Sequence, residues 1–198
     1  MLIWGDSFAA HLVPGLADIG ADGPVIHQYT ASGCPPILGL AVPRRSECRD
    51  FNDRAVDLIR ELRPAVVVLS ARWEAYLGRS VDEGRIAQTI AGVQDMGAKV
   101  VLVGQSPSFD FDNPYDFVYR KGAAVARSAP AEALNAGLAR VGADLFLDPM
   151  PVFCSGRSCT IANGHGYLFF DNGHYTMQGS ERLKPLLLRA IGQLSVPM

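Results

Sequence analysis

The sequence predicts an α/β protein: a parallel sheet covered by helices on both faces. Two observations carry this. Short apolar, β-branched runs alternate along the chain with longer stretches of helical periodicity. Each run ends in a polar loop, reading GDS, ASG, SARWE, GQSPS and DPMP in turn. In open parallel sheets the carboxyl ends of the strands are where ligands bind.

Taken in order, residues 1–4 (MLIW) form the first strand and residues 9–16 a helix that has to accommodate Pro14. Residues 25–29 form the second strand. A helix over 52–62 places Ala55, Val56, Leu58, Ile59 and Leu62 at helical spacing. The third strand, 65–69 (AVVVL), is apolar throughout, as a strand buried on both faces must be. A helix over 81–96 carries Ile86, Ile90 and Val93 on one side, and KVVLV (99–103) is the fourth strand. A helix over 129–141, a fifth strand over 144–147 and a closing helix over 180–194 complete the pattern. Pro185 marks either the start of that last helix or a kink in it. With no linker, repeat or low-complexity tract, 1–198 reads as one domain.

Composition excludes some functions. The chain is 48% hydrophobic and 19% charged, too apolar to be disordered. A net charge of −2 offers no footprint for nucleic acid or an anionic membrane surface. No apolar run is long enough to span a membrane; the C-terminal LKPLLLRAIGQL is short and broken by charges. No signal peptide is visible, and the first strand starts at Met1 without a lead-in. That pattern fits a domain taken from a longer chain.

Four cysteines, Cys34, Cys48, Cys154 and Cys159, lie in loop-like segments as two local pairs. An even count in such segments points to disulfides and an oxidising compartment, with Cys34–Cys48 and Cys154–Cys159 the local choice among three connectivities. Four reduced thiols are one alternative. A metal site is the other, although neither spacing is C-x-x-C and no histidine cluster accompanies them.

Ser7 in WGDSFAAH sits between a strand and a helix, where free backbone N–H groups could stabilise an oxyanion; a plain N-cap serine would occupy the same place. A nucleophilic serine needs a base, and the base an orienting acid. His27 falls within the second strand as a structural residue. His11, four residues after Ser7, is read as pointing along the helix and away from the turn. His165 lies in the Gly-rich NGHGY. Only His174, in FDNGHYTMQGS, has a carboxylate, Asp171, three residues before it in the same loop. Such a turn can bring the acid to Nδ1 and leave Nε2 for a serine. Asp6 is read as an anchor for the turn, and Phe8 as packing beneath it.

In WGDSFAAHLVPGL, TASGCPP, VVVLSARWEAY and DNGHYTMQGSERL, in that order, the chain resembles the SGNH (GDSL-like) hydrolases and acyltransferases. The likeness is closest to SGNH domains fused behind bacterial type-3 membrane acyltransferases. It implies a flavodoxin-like three-layer α/β/α sandwich with a five-stranded parallel sheet. It implies Ser7 as nucleophile, Asp171 and His174 as the rest of a triad, and the N–H groups of Ser7 and Gly33 as an oxyanion hole. It further implies no metal or cofactor, a periplasmic location, and an upstream transmembrane acyltransferase as fused partner. The implied reaction moves an acyl group, acetyl first among the choices, from a donor to a surface polysaccharide or lipopolysaccharide sugar. Carbohydrate esterase and non-catalytic glycan binder are the other readings. One departure stands out. The family's third block carries an oxyanion-binding asparagine, whereas here the stretch reads Ser70-Ala71-Arg72-Trp73. Arg72 is the replacement donor by position, with Trp73 beside it as a possible substrate contact; pairing of Arg72 with Glu74 is the competing arrangement.

Overall fold

The structure is a computed structural model that describes residues 1–17, 19–20, 23–42, 45–111, 113–126 and 129–195. Strand β1 (Leu2–Gly5) runs into a one-turn helix α1 (Ser7–Ala10) and a short 3-10 turn (Pro14–Leu16). Then follow β2 (His27–Thr30), α2 (Glu47–Leu62), β3 (Val66–Ser70), α3 (Trp73–Tyr76), α4 (Glu83–Asp95) and β4 (Lys99–Val103). Next come α5 (Pro114–Lys121), β5 (Ala124–Ala126), α6 (Ala129–Leu138), β6 (Leu145–Leu147) and α7 (Met150–Phe153). Four very short strands, β7 (Cys154–Ser155), β8 (Ser158–Thr160), β9 (Ala162–Asn163) and β10 (Gly166–Tyr167), precede α8 (Met177–Ser195).

Five strands form one parallel sheet in the order β2-β1-β3-β4-β6. Side chains alternate between its faces. Ile3, Val66, Val68, Val101 and Val103 pack on one side with Leu12, Leu16, Leu183 and Leu187. Leu2, Trp4, Val67, Leu69, Val100 and Leu102 pack on the other with Ile59, Ile86, Ile90 and Val93. Period-2 alternation with both faces apolar gives the three-layer α/β/α sandwich. The chain leaves β1 for β2 on one side and returns to β3 on the other. The order therefore reverses around β1, and a crevice opens at its carboxyl end.

The first helix is shorter than the sequence reading. It breaks after Ala10 and resumes as the 3-10 turn because Pro14 has no N–H and its ring would collide with the carbonyl four residues back. At the other end, α8 begins at Met177 and runs through Pro185. Helix α2 begins five residues earlier than its apolar periodicity, at Glu47, with Glu47 and Asp50 in a first turn that suits acidic groups. Its buried Asn52 is bonded at both ends: Oδ1 accepts from the Trp4 indole (3.1 Å) and Nδ2 donates to the Pro35 carbonyl (3.1 Å). An antiparallel sheet, β5-β8-β7, lies beside the main one and has no counterpart in the sequence reading.

Both local disulfides are present, Cys34–Cys48 and Cys154–Cys159. The first ties the loop after β2 to the first turn of α2. The second staples the β7–β8 hairpin across a directly paired position. Among the described residues no helix is long and apolar enough to cross a membrane.

Candidate active site

The turn after β1 is built around Asp6. Its Oδ1 accepts from the Phe8 N–H (2.8 Å), so Asp6, not Ser7, caps α1. Its Oδ2 accepts from the Arg72 N–H (3.1 Å) and the Tyr76 hydroxyl (3.0 Å). Burial pushes the Asp6 carboxyl up, and these three donors pull it back in part. Tyr76 is raised by burial and by the Asp6 charge. Asp6 thus clamps the end of β1 to the segment after β3. The strands approach so closely there that a Cβ on Gly5 would run into the Ser70 carbonyl. Because Asp6 does the capping, the Ser7 hydroxyl is left for another partner.

That partner is His174. Its Nε2 lies 2.8 Å from Ser7 Oγ, and its Nδ1 lies 2.7 Å from Asp171 Oδ2. Asp171 Oδ1 accepts from the backbone N–H groups of Gly173 (2.9 Å) and His174 (2.7 Å), closing the D-x-x-H turn. Burial alone would raise the Asp171 carboxyl. The two N–H groups and the imidazole outweigh it and hold it below the ordinary carboxylate range. An ionised Asp171 only accepts, so it requires the proton on Nδ1 and leaves Nε2 as the acceptor facing Ser7 Oγ–H. The structure brings together all three residues singled out in the sequence.

Gly33 lies after β2, next to β1, with the Ala31 N–H on the Gly5 carbonyl (3.1 Å). Its φ of +74° suits glycine, and a Cβ there would press on the Arg45 guanidinium, whose Nε would be 3.0 Å away. Arg45 in turn donates to the Ser32 carbonyl (2.8 Å). With Cys34 disulfide-bonded next door, the Gly33 backbone is held from both sides. The N–H of Ser7, at the first position of α1, has no acceptor within the helix.

The segment after β3 splits the two remaining candidates. Arg72 Nε donates to Glu74 Oε1 (2.9 Å), while Glu74 Oε2 accepts from the Ser108 hydroxyl (2.7 Å). The Arg72 guanidinium lies over the Phe8 ring, 5.7 Å from its centre. It is thus both ion-paired and next to the nucleophile turn. Trp73 is a correction. It is 0% exposed, and its indole N–H donates to the Val103 carbonyl (2.9 Å), so it packs in the core and cannot touch a substrate.

His11 is a second correction. It does not point away from the site's scaffold. Its Nδ1 accepts from the Tyr175 N–H (3.2 Å), and its ring packs on Phe8 and edge-on to His174. The four-residue spacing from Ser7 was misread, because i and i+4 share a helix face. Burial, and then repulsion from His174, push the His11 pKa well below its ordinary value. The unfolded chain therefore binds a proton here that the folded chain refuses, and stability falls as pH drops below about 6.5. The expected slope is about 1.4 kcal/mol per pH unit until the folded value is reached. Urea unfolding between pH 7 and pH 5 should show it, and His11→Asn, which keeps an acceptor but does not titrate, should flatten it. An equal slope in both proteins would remove His11 as the cause.

Among the described residues no group of three or more His, Cys, Asp or Glu side chains could hold a metal ion.

Comparison with known proteins agrees with this architecture. Residues 1–189 match the model of the SGNH domain fused to AT3 domains. The periplasmic domain of the lipopolysaccharide acetyltransferase of Salmonella Paratyphi A superposes with a TM-score of 0.79 at 20% identity, over 96% of this chain and 82% of that one. A Bacteroides fragilis protein provisionally named an acylhydrolase superposes with a TM-score of 0.61 at 19% identity, over 97% of this chain and 86% of that one. No curated protein sequence matches. At these identities the structural likenesses speak for the fold, whereas the family model spans nearly the whole chain. The chain therefore belongs to the SGNH domains found fused to AT3 domains, a domain type of hydrolases and acyltransferases.

Proposed function

We propose that this domain transfers an acyl group, acetyl in the simplest case, to a hydroxyl of a cell-surface polysaccharide or lipopolysaccharide through an acyl-enzyme on Ser7. The observation that carries this reading is the Asp171–His174–Ser7 chain of hydrogen bonds, 2.7 and 2.8 Å long. Ser7 Oγ attacks the acyl carbon while its proton passes to His174 Nε2. The N–H groups of Ser7 and Gly33 hold the oxyanion, with the Arg72 guanidinium supplying positive charge in place of the missing asparagine. The tetrahedral adduct collapses, and the leaving group departs with the proton from Nε2. The acceptor hydroxyl then attacks the acyl-serine, gives its proton to Nε2, and releases Ser7 with that proton.

The name of the Salmonella structure and the fusion named by the family model support transfer in the periplasm, with an upstream membrane acyltransferase as partner and source of the acyl group. The two disulfides fit an oxidising compartment. With water as acceptor the same site is a carbohydrate esterase, a reading favoured by the acylhydrolase neighbour.

Acid-quenched mixtures of the domain with p-nitrophenyl acetate should contain a singly acetylated protein whose label maps to the Ser7 peptide. Added oligosaccharide should drain the label into acetylated sugar for a transferase, and leave free acetate as the product for an esterase. Turnover with no label at Ser7 would overturn the serine mechanism.

A further inference from the structure

Several large apolar side chains are exposed among the described residues: Val25, Leu62, Tyr115, Tyr119, Phe170 and Met177. Scattered singly, such residues need no explanation. Phe170 differs, because its ring stacks on His174 with centres 5.3 Å apart and planes 18° from parallel, yet it is 52% exposed.

Its position is fixed by the fold. The Phe170 N–H donates to the His174 carbonyl (3.1 Å). Its neighbour Phe169 bridges to Tyr175, and both of those are buried, with Phe169 packed on Phe109 and Phe153. Alternation along this extended stretch sends Phe169 inward and Phe170 outward. The Asn172 carbonyl accepts from the Phe109 N–H (2.9 Å), which ties the same loop to the segment after β4. Phe170 is therefore an aromatic plate on a rigid mount. The imidazole already has Phe8 beside it, at 4.6 Å.

We propose that Phe170 is the platform on which a pyranose ring of the carbohydrate substrate stacks; this rests on the serine-dependent acyl chemistry proposed above. A pyranose presents an apolar face of C–H groups, which the electron-rich face of an aromatic ring attracts. The rim of the same sugar carries hydroxyls. In transfer, one hydroxyl oxygen forms the new ester bond to the acyl carbon, its proton goes to His174 Nε2, and Ser7 Oγ leaves and takes that proton. The plate covers one face of the imidazole, so a sugar stacked on its other face lies beside the site, with its hydroxyl rim at the plate's edge near the group that must receive the proton. Because the plate does not have to be ordered on binding, little of the interaction is lost to entropy.

The test compares two acetyl esters, glucose pentaacetate, which has a pyranose ring, and p-nitrophenyl acetate, which has none. In Phe170→Ala, the ratio of kcat/KM for the sugar ester to that for p-nitrophenyl acetate should fall tenfold or more, mainly through KM. Phe170→Trp should restore it. A proportional fall on both substrates, carried by kcat, would make Phe170 a positioning residue for His174 and overturn the platform. An unchanged ratio would do the same. Wild-type protein that turns over p-nitrophenyl acetate through Ser7 but leaves glucose pentaacetate untouched would sink the platform and spare the serine reading. No Ser7-dependent turnover of either ester would remove both.

Discussion

Ser7→Ala is expected to lower kcat for acetyl-ester turnover by about 10⁵-fold or more, the scale on which a triad nucleophile acts. The same substitution should leave the fold intact, and the reason is local. Ser7 is the first residue of α1, but the capping oxygen belongs to Asp6, and among the described residues Ser7 Oγ makes its side-chain hydrogen bond with His174 Nε2. Loss of one half-buried hydroxyl with no structural task should shift thermal stability by less than about 1 kcal/mol. Activity and melting temperature therefore separate cleanly. Steady-state assays with p-nitrophenyl acetate beside a thermal melt read both. A variant retaining a tenth of the activity would mean that the hydroxyl is not the nucleophile. A variant that failed to fold would mean that the Asp6 cap, with its 2.8 Å bond, does not suffice to hold the turn.

Asp171→Asn should cost about 10⁴-fold in kcat, by a different route. The turn would survive, since an amide oxygen can still accept from the N–H groups of Gly173 and His174. The other end of the side chain would become a donor. It would favour the imidazole tautomer with a bare Nδ1 and a proton on Nε2, so Nε2 could no longer accept from Ser7. Substrate binding should change little, placing the loss in kcat rather than KM. The electrostatics add a pH signature. The folded carboxyl is held below its unfolded value, so its contribution to stability is complete above about pH 4 and is lost as pH falls through the folded value. The Asn variant should therefore lack that contribution above about pH 4, and its stability should converge on that of wild type as pH falls below it. Equal kcat in the two proteins would remove the tautomer role.

The sheet was legible because β3 and β4 are buried on both faces, which leaves the runs VVVL (66–69) and VVLV (100–103) with nothing polar to confuse the reading. The grouping of Ser7, Asp171 and His174 was legible because the spacing of D-x-x-H fits one turn and the ordered motif set paired it with a strand-end serine, which by itself reads equally as an N-cap. Trp73 was misread because position after a strand does not reveal direction: α3 starts at Trp73 itself and turns the indole back onto Val103. Pairing across two- and three-residue strands such as β7 and β8 leaves no periodicity to read. Phe170 looked like one more apolar residue in a loop, and only the alternation with Phe169 shows which of the two faces outward.

Synthesis imposes an order on this site. Ser7 leaves the ribosome well before its hydrogen-bond partner, which lies 167 positions later. The helix that seats the D-x-x-H loop comes later still, docking through Ser180, which donates to the Leu12 carbonyl and accepts from the Gly15 N–H. At roughly 5–20 residues per second, the Ser7 hydroxyl waits on the order of 10–30 s for the imidazole. On the proposed mechanism a nascent chain is chemically silent, and esterase activity is expected only once the two ends of the domain close on each other.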